Sequence, residues 1–277
     1  MPYQVELKFA ARTDTGLVRS HNEDSLAISA DYGFAILADG MGGYNAGEVA
    51  SGIATSVLKE SLEQRLHTQQ WDIRLNRGKR IQQMLVESII HANESIFEAA
   101  RINPENTGMG TTLVVALFHH DRVTVAHVGD SRAYRLRKGE IVQITHDHSM
   151  LQEQIDAGLV SEEGAQFARN RNLITRAMGV DYDIDVEIHE HQTEPGDIYI
   201  LCSDGLSDML SKQEILDTII TADASSEAAC DELIKKANDN GGRDNISVIL
   251  IRVQSEETEY RGPIARILNW LRQAKAG

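Results

Sequence analysis

The sequence predicts an α+β fold in which antiparallel sheets are covered by helices. Two observations carry this expectation. Short apolar segments are joined by tight polar turns, as in TTLVVALF–HHDR–VTVAHVGD (Thr111–Asp130) and AYRLR–KGE–IVQIT (Ala133–Thr145). Strands linked this closely run antiparallel. Helical periodicity comes in blocks between blocks of strands, not alternating with them one to one, which argues against a doubly wound parallel sheet.

Each element has its own signal. VELKFAA (Val5–Ala11) alternates apolar and polar side chains, as a half-buried strand does. GFAILADG (Gly33–Gly40) is an apolar run that stops on an Asp-Gly pair. From Gly47 to about His67, Val49, Ile53, Val57 and Leu62 fall near helical spacing, and Ile81, Leu85, Ile89 and Ile96 do the same from Lys79 to Ala100. The two hairpins follow. Residues 148–178 are polar and irregular, with weak helical signals. Strand patterns resume at IDVEIHEH (Ile184–His191) and IYILCSDG (Ile198–Gly205), helices are expected near Lys212–Ile220 and Ser226–Lys236, and NISVILIRV (Asn245–Val253) is a last strand.

There is no internal repeat or linker, so residues 1–255 are expected to form one domain and 256–277 a tail. In the tail, Ile264, Ile267, Leu268 and Leu271 make an apolar stripe with Arg266, Arg272 and Lys275 around it. That pattern suits a membrane surface or a partner. A terminal helix that docks on its own domain or frays is the simpler expectation, because so short a helix needs packing to persist.

Bulk composition narrows the function classes. The 277 residues are 42% hydrophobic and 25% charged, as in soluble globular proteins. A net charge of −15 repels phosphate backbones, so general nucleic-acid binding is not expected, although a local acid cluster around a cation is permitted. Cys202 and Cys230 form no CxxC and no disulfide framework, which points to a reducing cytoplasm. The N-terminus has no signal-peptide pattern, and no apolar run approaches the length of a membrane span.

The chemistry lies in the acidic turns. Asp39, Asp130, Asp204 and Asp244 each end or begin an apolar strand segment beside a small or turn-forming residue, and Glu23-Asp24 precedes LAIS. A single Asp-Gly is usually only a turn. Four such sites on strand ends can converge on one sheet edge, where carboxylates need a compensating cation. The donors are all oxygen, with no cysteine or histidine pair expected beside them, so Mg²⁺ or Mn²⁺ fits better than zinc. Competing motifs fail: GMGTT lacks the P-loop lysine, GMGGYN lacks the third glycine of GxGxxG, DYDID continues with valine, and there is no GxSxG.

The segments TDTGLVRSHNEDS, ILADGMGGYNAGEVAS, GMGTTLVV, VAHVGDSRAYRLRKGEIVQIT, NLITRAMG, ILCSDGLSDML and GGRDNISVILI run in order from about Thr13 to Val253. With them the sequence resembles the PP2C (PPM) family of metal-dependent protein serine/threonine phosphatases, in its compact bacterial form. The resemblance implies a central antiparallel β-sandwich flanked by helix pairs, with a two-metal site at one edge. It places Asp39 as the metal-bridging aspartate, Gly40 as a carbonyl ligand, and Asp204 and Asp244 as further ligands. Glu23 and Asp24 match the acidic pair that meets metal or its waters, Asp130 matches the ligand of a third, weaker ion, and Arg19 matches the arginine that grips the substrate phosphate. Residues 149–177 match a flap beside the site, and Asp208 is expected behind the ligands.

The implied reaction is hydrolysis of phosphoserine and phosphothreonine by a metal-activated water, with no covalent intermediate. The implied partners are phosphoproteins and a Ser/Thr kinase whose work is reversed, and a monomer is expected. The alternative is a catalytically weak, phosphoprotein-binding regulatory domain. Met41 stands where some relatives carry a histidine proposed as general acid, which leaves a metal-bound water or His21, the latter more simply structural. Cys202, Met109 and Met178 are expected in the core, and Arg169 and Arg171 as solvated charges on the flap.

Overall fold

Two antiparallel sheets stack face to face between two layers of helices in the computed structural model, which describes residues 5–43, 46–68, 77–161, 164, 173–222 and 225–255. One sheet has the order β1 (Val5–Asp14), β11 (Ile246–Ser255), β10 (Ile198–Cys202), β7 (Arg132–Arg137), β8 (Glu140–Gln143). The other runs β2 (Asp24–Ser29), β3 (Phe34–Met41), β5 (Leu113–His119), β6 (Arg122–Val128), β9 (Glu187–Gln192), with the short β4 (Gly110–Thr111) paired to the end of β3. The tail at 256–277 and the flap residues Arg169 and Arg171 lie outside the described residues.

Strand alternation builds the layers. On β3, Ala35 and Leu37 face the opposite sheet and meet Tyr199, Leu201, Ile249 and Ile251. Phe34, Ile36 and Ala38 face the other way, onto α1 (Ala46–Thr68) and α2 (Arg77–Ile102), with Leu58, Leu62, Leu85 and Ile89. In the sheet that holds β10 and β11, Ile200, Cys202, Val248 and Leu250 pack on α5 (Lys212–Thr221) and α6 (Ser226–Asp239) through Ile215, Ile219, Ala229 and Leu233. The central strands are thus apolar on both faces, which is why FAILA, LVVALF and IYILC read as continuous runs without a period of two. Each such buried aliphatic side chain contributes about 1.5–3 kcal/mol. Cys202, Met109 and Met178 are fully buried, as expected.

Helix ends follow local sequence. Ser211 and Glu214 close a capping box at α5, and the Ser225 hydroxyl accepts from Ala228 N–H at α6. One expectation needs correction. The buried side of α1 is not the Val49–Ile53–Val57 stripe, which is half-buried, but Ala46, Gly47, Ala50, Ser51, Ala54, Thr55, Leu58 and Leu62. The first turns of α1 lie so close to the end of β3 that only small side chains fit: a Cβ on Gly47 would stand 2.8 Å from the carbonyl carbon of Gly40.

One short helix sharpens the weak helical signal of residues 148–178, and another departs from the expected pattern. The flap root carries α3 (Met150–Asp156), capped by Ser149 and tied back by a Ser149–Ile174 bridge. Asp204 does not end β10 but opens a one-turn helix, α4 (Asp204–Ser207), after Ser203.

Candidate active site

The acidic residues reach one edge by register and by a few side-chain ties. In the β2–β3 ladder Asp24 stands opposite Asp39. The Asp24 carboxylate accepts from the Ser203 hydroxyl at 2.9 Å, and Ser203 is the residue before Asp204. Buried Asn245 follows Asp244 and accepts the Glu23 N–H at 2.7 Å, while its own amide donates to the Thr15 and His21 carbonyls at 2.9 and 3.0 Å. Segment 15–23 is thereby fastened to the start of β11.

Asp39 is held by two threonines. Its N–H donates to the Thr112 hydroxyl at 3.1 Å, and its carbonyl accepts from the Thr112 N–H and the Thr111 hydroxyl, each at 2.8 Å. The Thr112 hydroxyl also pairs with that of Ser131 at 2.7 Å, next to Asp130. Asp130 follows Gly129, whose φ of 101° is open to glycine and costly for other residues. Thr111 and Thr112 belong to GMGTT, a segment with no role assigned from sequence.

The electrostatics of these carboxylates follow from burial and from one another's charge. Burial first, and then the neighbouring charges of Asp24, Asp204, Asp130 and Asp244, push the Asp39 carboxyl well above the usual range. Asp204 is displaced the same way by burial and by Asp130, Asp208, Asp244 and Asp24, which puts Asp208 within the cluster. Burial raises Asp24 to about 7 despite the serine hydroxyls that favour its anion. Burial and Asp147 raise Asp130 to about 6 against the pull of Arg132, and burial raises Glu23. Three buried oxygens, Glu23 Oε1, Asp24 Oδ1 and Asp130 Oδ1, have no hydrogen-bond partner. Buried acceptors are almost always satisfied, and an orphan costs about 1–3 kcal/mol. An all-oxygen cluster with orphaned lone pairs and mutual repulsion fits hard divalent cations.

Other expected site residues sit close by. Arg19, half-exposed, donates from Nη2 to Asp244 Oδ2 at 2.6 Å. His21 Nε2 lies 3.7 Å from Glu23 Oε1, and its Nδ1 is 2.9 Å from the Ser20 hydroxyl. Met41 ends β3 with its methyl group against Gly110. The glycines of LADGMGGYNAGEVA do not act only by leaving space. A Cβ on Gly40 would run into the Gly47 carbonyl, and one on Gly47 would meet the Glu23 carboxyl carbon at 2.8 Å. They let β3, α1 and Glu23 touch.

A second cluster was missed. His127, His148 and Glu187 present ligand atoms within 4.8 Å of one another, the one such set among the described residues. No closely spaced histidine pair was expected beside the aspartates, and this pair is joined by the fold: only His148 of the HDH run at His146–His148 belongs to it. Each group here is already satisfied. His127 Nε2 donates to the His146 carbonyl at 2.7 Å. His148 Nδ1 accepts from Gly129 N–H at 3.2 Å, which leaves its Nε2 as the donor facing Glu187 at 3.3 Å. The two rings stack at 4.7 Å and 18°. A cation lies close to the plane of each imidazole that binds it, and two rings stacked face to face, their planes set apart by the stacking, share no such point.

Comparison with known proteins gives one answer. The model of the family described as protein phosphatase 2C matches residues 18–250. The serine/threonine phosphatase stp of Listeria welshimeri is 36% identical over 243 residues, 87% of this chain and 93% of that protein. The serine/threonine protein phosphatase PstP of Mycobacterium tuberculosis is 36% identical over 258 residues, 93% of this chain but 47% of that protein. The catalytic domain of PstP solved with two manganese ions superposes with a TM-score of 0.79 at 35% identity, covering 91% of this chain and all of that one. Stp1 from Staphylococcus aureus gives 0.79 at 33% identity, covering 92% and 97%.

Proposed function

Because the chain belongs to the protein phosphatase 2C family, we infer that it is a metal-dependent protein phosphatase acting on phosphoserine and phosphothreonine. Asp39, Gly40, Asp204 and Asp244 are the proposed ligands of two Mg²⁺ or Mn²⁺ ions, with Glu23 and Asp24 beside them and Asp130 serving a third, weaker one. The single observation that carries this reading is the convergence of repelling carboxylates with three orphaned buried oxygens. Bound cations supply the Lewis acidity that makes a water reactive near neutral pH and offsets phosphoryl charge.

The chain's own residues do the rest. Thr111 and Thr112 fix the Asp39 backbone from both sides, and Ser203 orients Asp24. Arg19 is held at the site edge by Asp244. With Asp244 serving a cation, the guanidinium fork of Arg19 would be free to hold phosphoryl oxygens in pairs. Cys202 and Cys230 are buried, with thiols pushed up to about 12, so neither is a nucleophile. A merely phosphoprotein-binding domain has no need of these ligands, and none of the expected carboxylates is replaced.

The further proposals are a cytoplasmic monomer that opposes a Ser/Thr kinase, with residues 256–277 as a tail outside the domain. No helix among the described residues is long and apolar enough to cross a membrane. Assay of a phosphothreonine peptide with and without Mn²⁺, for the wild type and Asp204→Asn, tests the reading. Metal-dependent turnover lost in the variant is expected; a wild type with no metal-dependent turnover would sink it.

A further inference from the structure

We propose that Leu17 and Val18 form an apolar platform for the residue flanking the phosphorylated one, so that this protein prefers phosphopeptides carrying an aliphatic side chain beside the phosphoresidue. The inference rests on the reading of Arg19 as the phosphate-holding residue and adds a specificity determinant to it.

Leu17 and Val18 are 69% and 67% exposed, and they are the one pair of chain neighbours among the described exposed large hydrophobic residues. Single exposed apolar residues are ordinary. This pair is not exposed through loose backbone. Gly16 N–H donates to Asp14 Oδ1 at 2.9 Å, Leu17 N–H to the Gly242 carbonyl at 2.7 Å, and buried Asn245 holds the Thr15 and His21 carbonyls. Gly16 has a φ of 78°, and a Cβ there would strike the Asp244 carbonyl. The loop is therefore pressed onto the backbone of a proposed metal ligand, and its bonds fix two aliphatic side chains outward.

Position supplies the ligand class. Val18 adjoins Arg19, whose guanidinium reaches Asp244. Two residues of extended chain span about 7 Å, the reach from a phosphoresidue to its near neighbours in an extended peptide. The chain carries a net charge of −15, which disfavours strongly acidic flanks. An apolar contact is what this edge offers, and the occupant is a phosphopeptide with leucine, isoleucine or valine beside the phosphoresidue.

The test compares the Mn²⁺-loaded wild type with L17S/V18S on three substrates: a phosphothreonine peptide with leucine on both sides, the same peptide with glycine there, and p-nitrophenyl phosphate. The wild type is expected to favour the leucine peptide by about tenfold in kcat/KM, carried by KM, the scale of burying one or two aliphatic groups. L17S/V18S should lose most of that preference and keep its p-nitrophenyl phosphate turnover within twofold. Equal use of both peptides by the wild type, or a preference that survives in the variant, overturns the platform. Fluorescence anisotropy of the two labelled peptides decides the same question without turnover. An inert wild type on p-nitrophenyl phosphate would instead count against the phosphatase reading.

Discussion

Two clusters of ligating side chains lie near each other, and they differ in kind. His127, His148 and Glu187 bring their ligand atoms within 4.8 Å of one another, yet His127 and His148 are hydrogen-bonded and their rings stack. At the strand ends, the carboxylates repel one another and three buried oxygens have no partner. Proximity of donors does not by itself leave a lone pair free for a cation. Unspent lone pairs in a buried, like-charged group are a better marker of a metal centre, because only an added cation relieves them.

The largest expected effect comes from removing a member of the aspartate cluster. Asp39→Asn should lower Mn²⁺-dependent turnover by more than about 100-fold, beyond the 10–100-fold typical of residues that only orient ligands. The same variant should raise the melting temperature of the chelated protein by about 2–4 °C, because one repelling charge is gone. A loss of stability in the chelated state would mean that Asp39 is satisfied there, and the contrast between the clusters would fail.

Thr112→Val tests the support behind that cluster. Loss of the hydroxyl that takes the Asp39 N–H and meets Ser131 should weaken Mn²⁺ affinity about tenfold, measured calorimetrically, with Thr112→Ser restoring it. If valine binds Mn²⁺ as the wild type does, the threonine clamp is packing alone.

A pH series on chelated protein sharpens the comparison further. Asp24 is raised from 3.8 to about 7 and Asp130 to about 6 in the folded state. Between those values the folded chain holds protons that the unfolded chain releases, so stability must fall as pH rises through this window. For these two groups the penalty is absent below pH 3.8 and complete above about 7. Saturating Mn²⁺ should flatten the melting-temperature profile; an identical slope with and without metal would contradict the proposed ligand set. The smallest effect belongs to Glu187→Gln, which should cost about 1 kcal/mol or 2–4 °C and leave Mn²⁺ affinity unchanged. A several-fold loss of affinity there would join the two clusters into one.

Much of this was legible in the chain. The apolar runs that lead to Asp39 and Asp204 and that follow Asp244 are local patterns, and the four segments with their acidic turns mark the candidate site before any contact is known. The buried stripe of α1 was not legible, because the selection of Ala46, Gly47, Ala50 and Ala54 over Val49 and Ile53 depends on how near β3 lies. The histidine pair was overlooked because His127 and His148 belong to different segments, joined only where the chain after β8 returns past the β6–β7 turn. Arg19 and Asp244, 225 positions apart, meet for the same reason.

By itself, then, the sequence determined most of the strands, the acidic residues beside their ends, and which cation class an all-oxygen set suits, since period, turn chemistry and donor type are local properties. Only the tertiary structure decided that Asp24 faces Asp39, that Thr112 joins Asp39 to Ser131, and that three carboxylate oxygens are left without partners. Register and burial are set by packing across the whole sandwich, and a pKa or an orphaned lone pair exists only once water has been excluded from around it.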